Sequence, residues 1–82
     1  MTVEEMLIVF IGILRELLAD NSIVLTMETR RQEIQNWDSF IYVNFIVAVE
    51  VQFGVKFKIA DIESFENVGA IVKQLTNMLS QN

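Results

Sequence analysis

The sequence contains neither cysteine nor histidine, and this sets the terms on which the chain can fold. Disulfides and Cys/His zinc sites, the usual staples of small domains, are excluded. At 82 residues the chain lies near the lower size at which an apolar core suffices by itself. Most of its apolar residues, 52% of the total, are therefore needed for packing, and few remain to line a deep catalytic pocket. The same absence removes thiolate nucleophiles, His-based triads and imidazole proton shuttles. No intrinsic catalysis and no metal site are expected.

Charge narrows the partners. The formal net charge is −5 with only six Lys and Arg, whereas binding nucleic acid needs a clustered basic surface to neutralise phosphates. Basic partner proteins fit better. Near the N-terminus, Glu4 and Glu5 stand where a signal peptide would be positive, and Arg15-Glu16 follow the apolar run without a small-residue cleavage site. A cytoplasmic location is the resulting expectation. Neither Met6–Leu14 nor Phe40–Val49 reaches the ~20 apolar residues of a membrane-spanning helix, so no membrane span is predicted.

The chain has no proline, internal repeat or linker-like tract, and residues 1–82 are expected to form one domain. Val3, Met6, Leu7, Phe10, Ile13, Leu14, Leu17 and Leu18 recur at steps of three and four, which predicts a helix over Val3–Ala19 with Thr2 as N-cap. Ile8 and Val9 fall off this stripe and with Ile11 would form an exposed apolar patch. Asp20 to Trp37 breaks the pattern and reads as a long loop anchored by Ile23, Leu25 and Ile34, with Arg30 and Arg31 as solvated charges. Asp38 as N-cap and Gly54 as C′ residue bound a second helix, Ser39–Phe53. Its β-branched residues would also suit a strand, but the caps and the length favour helix. A short helical turn at Ala60–Ser64 and a last helix capped by Asn67, with Val68, Ile71, Val72, Leu75, Met78 and Leu79 inward, complete the pattern. The expected fold is all-α, a four-helix bundle of three main helices and a short one.

One local feature bears on chemistry. Trp37-Asp38-Ser39-Phe40 places the Ser39 hydroxyl at a helix start, beside free backbone N–H groups and the positive end of the helix dipole, where a phosphate ester is favoured. By itself an Asp-Ser pair before an apolar helix is also an ordinary cap.

The order and spacing of several motifs add to this. Val3-Glu4-Glu5, Gly12, Asp38-Ser39, Ala48-Val49-Glu50, Phe53-Gly54, Asp61-Ile62-Glu63 and Asn67-Val68-Gly69 together resemble the acyl carrier protein family over nearly the whole chain. The resemblance implies that a phosphopantetheinyl transferase modifies Ser39 from coenzyme A, with Asp38 the adjacent acid. The resulting 4'-phosphopantetheine would supply the thiol that the chain lacks. It further implies that Phe45, Val49, Phe57, Ile62, Phe65 and Ile71 form a core able to open around a fatty acyl or polyketide cargo, although each also reads as plain core packing. Acyl-loading and acyl-processing enzymes would then dock on the second helix.

That helix departs from the family pattern. Ile41, Asn44 and Val51 stand where acids are common among fatty acid carriers, Glu50 is the one acid left on it, and Phe40 replaces the usual leucine. Docking through Phe40, Ile41, Asn44, Glu50 and Val51 is thus expected to depend on shape and apolar contact more than on charge steering. The Trp-Asp-Ser opening and the Glu-Ser-Phe-Glu-Asn-Val-Gly ending look more like a specialised free-standing carrier. An aminoacyl or peptidyl carrier, or a non-catalytic helical interaction module in which Ser39 merely starts a helix, remain the alternatives.

Overall fold

A computed structural model describes residues 1–81. Among them the chain forms four α-helices and no strand: α1 Val3–Leu18, α2 Ser39–Phe53, α3 Ile59–Ser64 and α4 Val68–Ser80, with one turn of 3₁₀ helix at Arg31–Glu33. The cap residues explain the boundaries. Thr2 and Glu5 form a reciprocal capping box on α1, Asp38 Oδ1 accepts from Ile41 N–H at 2.9 Å, and Asn67 Oδ1 accepts from Ala70 N–H at 2.8 Å. Gly54, at φ 66°, ends α2 in the left-handed conformation that suits glycine. At the end of α1 the same conformation falls on Ala19, φ 52°.

α1 packs along α2 and more lightly on α4, and their inner sides meet in one core. Met6, Phe10 and Leu14 of α1, Phe45, Ile46 and Val49 of α2, and Val68, Ile71, Val72 and Leu75 of α4 are buried there together with Phe57. The long loop also contributes: Ile23, Leu25 and Trp37 are buried in the same cluster. Edge-to-face aromatic pairs run through its centre, with Phe10 at 5.4 Å and Trp37 at 5.2 Å from Phe45 between ring centroids.

Three details of α1 and the loop differ from the sequence-based expectation. Val3 and Leu17, at the margins of the apolar stripe, are exposed. Of the expected outer patch only Ile8 is fully exposed; Ile11 packs against the core and Val9 is half-buried, because a stripe of this width wraps past them. Arg31 is not a solvated loop charge but is half-buried against Trp37 and Tyr42.

The loop is fastened by its backbone. Arg15 Nε donates to Ile23 O at 2.9 Å. At the start of α4, Val68 N–H donates to Thr29 O at 2.9 Å and Gly69 N–H to Met27 O at 2.7 Å. These bonds satisfy helix N-terminal donors that have no partner within the helix. They bring the chains so close that a Cβ at position 69 would lie 2.6 Å from the Met27 oxygen. No helix among the described residues is long and apolar enough to cross a membrane.

Candidate functional site

Ser39 is the first residue of α2 and is exposed. The Asp38 side chain is engaged as the N-cap, holding Ile41 N–H, and the Asp38 carbonyl accepts from Tyr42 N–H at 2.9 Å. The first turn is thereby fixed while Ser39 stays exposed. An anion on Ser39 would lie at the positive end of a 15-residue helix, an interaction worth about 0.3–1 kcal/mol at an exposed site. These residues fit a phosphodiester-linked arm.

The six residues expected to surround an acyl chain come together. Phe45, Val49, Phe57 and Ile71 are buried, and Ile62 and Phe65 pack half-buried against them. Phe57 and Phe65 meet edge to face at 5.5 Å. Between α2 and α3, Tyr42 Oη donates to Ile62 O at 2.7 Å, so one hydrogen bond ties the serine-bearing helix to the short one. Burial pushes the Tyr42 phenol above its ordinary range, with the Arg31 charge acting in the opposite direction.

The residues expected on the docking face divide. Phe40 and Val51 project outward, at 75% and 78% exposure. Ile41 instead packs against the core, and Asn44 is half-buried, its Nδ2 donating to Phe40 O at 2.9 Å. Glu50 is a correction. It is 9% exposed, and its Oε2 accepts from Phe57 N–H at 2.8 Å. The Gly54 turn sends the chain back past α2, and the carboxylate satisfies a backbone donor there and faces inward, not onto the docking face. α2 consequently presents no exposed charge on its outer side.

Sequence reasoning missed two members of that outer side, Val43 and Val47, both exposed. The signal was present, since Phe40, Val43, Val47 and Val51 follow steps of three and four. It also missed Trp37, which is 5% exposed and carries an indole N–H with no partner, and the stacking of Arg31 over the Tyr42 ring at 5.2 Å from its centroid. Both depend on the path of an irregular loop, which has no period to read.

A scan of protein-family models found no match, and a search of curated proteins found none. Among solved structures, the solution NMR structure of a holo acyl carrier protein from Geobacter metallireducens superposes with a TM-score of 0.82. Its sequence is 35% identical, and the match covers 92% of this chain and 86% of that one. A likeness of sequence and fold that runs almost end to end makes this chain a member of the acyl carrier protein family.

Proposed function

We propose that the protein is a carrier that holds acyl intermediates as thioesters on a 4'-phosphopantetheine arm attached to Ser39. The observation that carries this reading is the position of Ser39, exposed at the capped start of α2, in a chain similar to a holo acyl carrier protein. In the attachment, Ser39 Oγ forms a bond to the phosphorus of coenzyme A that bears the pantetheine. The phosphoanhydride bond breaks, adenosine 3',5'-bisphosphate leaves, and the hydroxyl proton passes to a base of the transferase. The bound arm supplies a terminal thiol for thioester chemistry. The chain's own part is to present that thioester, while partner enzymes provide bases and oxyanion holes.

Recognition in this reading runs through the outer face of α2. Phe40, Val43, Val47 and Val51 form an uncharged apolar row beginning beside Ser39, suited to apolar contact with cytoplasmic acyl-loading and acyl-processing enzymes of fatty acid, polyketide or related lipid synthesis.

Incubation with coenzyme A, Mg²⁺ and a broad-specificity phosphopantetheinyl transferase, followed by intact-mass measurement, tests the assignment. One phosphopantetheine should add to the wild type and none to Ser39→Ala, which should fold as the parent does. Addition at Ser22 or Ser64, or no addition with several transferases, would refute it.

A further inference from the structure

Beside the start of α2 lies a cleft of about 520 Å³, between the loop at Arg30–Gln32 and the connection from α3 to α4. That volume lies within the range of small-ligand sites. Its composition is unlike the core. Arg30, Arg31 and Gln32 bring donors to one side, Glu63 and Glu66 bring acceptors to the other, and Phe65 adds apolar surface. A saturated chain laid there would strip water from these polar groups without replacing it. An acyl group with an oxygen along its chain would place methylenes on the apolar surface and give the donors an acceptor.

Three observations point the same way. Trp37 lines the cleft, and its buried indole N–H has no partner, which is rare for a buried donor. A ligand oxygen that moved a wall side chain aside would supply the missing bond. Arg31 uses one guanidinium nitrogen, Nη1, on Trp37 O at 3.4 Å, and stacks on Tyr42, which leaves other N–H donors of the fork to spare. The direct way between α2 and α3 is tied by the Tyr42 hydrogen bond to Ile62, and the core behind it is filled by edge-to-face aromatic rings. The cleft is also in reach of the arm. Trp37 stands two residues before Ser39 and Tyr42 three residues after it on the same face of α2.

We propose that this cleft, with Arg31 and Trp37 as its recognition groups, seats an oxygen-bearing acyl group, of the 3-oxo or 3-hydroxy class, outside the aromatic core. The inference rests on Ser39 carrying the arm, and the test separates the two. The transferase loads the protein from the stable amide-linked octanoyl or 3-oxooctanoyl analogue of coenzyme A, releasing adenosine 3',5'-bisphosphate, and intact mass against the Ser39→Ala control first establishes addition at Ser39. With a single Trp in the sequence, the indole ¹H–¹⁵N correlation is one resolved signal. It should shift on going from the holo to the 3-oxooctanoyl form, exchange with solvent about tenfold more slowly, as one hydrogen bond of ordinary net strength implies, and stay nearly unchanged in the octanoyl form. Arg31→Gln, shown by circular dichroism to keep its helices, should lose the distinction between the two cargoes. Equal indole signals for both cargoes, perturbation centred on Phe45 and Val49, or a full distinction surviving in Arg31→Gln would each overturn the cleft assignment while leaving the carrier reading intact. Failure of the mass addition would overturn both.

Discussion

The two sides of α2 are made from the same kinds of residue and meet opposite fates. Phe45, Ile46 and Val49 are buried, while Phe40, Val43, Val47 and Val51 on the same helix stand in solvent. Nothing in residue type separates them. The difference lies in what the rest of the chain brings: Phe10 from α1 and Trp37 from the loop close over the inner side, and among the described residues no element closes over the outer. One side therefore holds the fold together, and the other stays exposed to solvent.

The inner side gives the largest expected effect. Phe45→Ala removes a ring that touches both Phe10 and Trp37 and should cost about 3–5 kcal/mol of unfolding free energy, read from the denaturant midpoint. A loss below ~1 kcal/mol, within what a tolerated volume-conserving swap costs, would mean that this side is loosely packed and that the contrast between the faces is weaker than drawn.

Glu50 sharpens the comparison because it is the one charged residue of the helix and faces inward. Glu50→Leu strands the Phe57 N–H and should cost about 1–3 kcal/mol, whereas Glu50→Gln keeps an acceptor and should cost about 1 kcal/mol or less. Thermal or chemical denaturation checks the order. A docking acid would behave in reverse, with Glu50→Gln sparing stability and slowing acyl loading.

The smallest effect on stability belongs to the outer side. Val47→Glu with Val51→Glu should leave unfolding free energy within about 0.5 kcal/mol of the parent per site and slow loading of the holo protein by its cognate enzyme. Because no exposed charge lies on α2, the parent's loading rate should change little between low and high ionic strength. Exposed charges more than about 8–10 Å apart are already screened at physiological salt. A drop of orders of magnitude in high salt would place recognition on Asp61, Glu63 and Glu66 instead.

The helices were legible wherever a cap met a period. Thr2, Asp38, Gly54 and Asn67 mark ends that the structure keeps, and α2 spans Ser39–Phe53 as its caps require. The β-branched content of α2, which alone would allow a strand, gave way to those caps and to helix packing. Which side of α2 faces inward was less legible, because a helix that is apolar all round carries no stripe to orient it. Glu50 was assigned outward for that reason. Arg31, Trp37 and the 3₁₀ turn escaped because their positions follow from tertiary hydrogen bonds of an aperiodic loop. The place of Ser39 at the start of α2 was legible from its cap.

The joint between the loop and α4 has a consequence for how this chain can vary. It is made by main-chain atoms on both sides, Met27 and Thr29 offering carbonyls and Val68 and Gly69 offering N–H groups. Such a joint makes few demands on the side chains that surround it. Exposed positions such as Glu28, Arg30 and Gln32 are free to exchange without unfastening the loop, since a backbone bond is indifferent to the residue that bears it. Intolerance is concentrated at position 69, where anything larger than hydrogen would push on the Met27 carbonyl. A single crowded glycine thereby leaves a whole rim beside the serine open to change, while the scaffold beneath it stays the same.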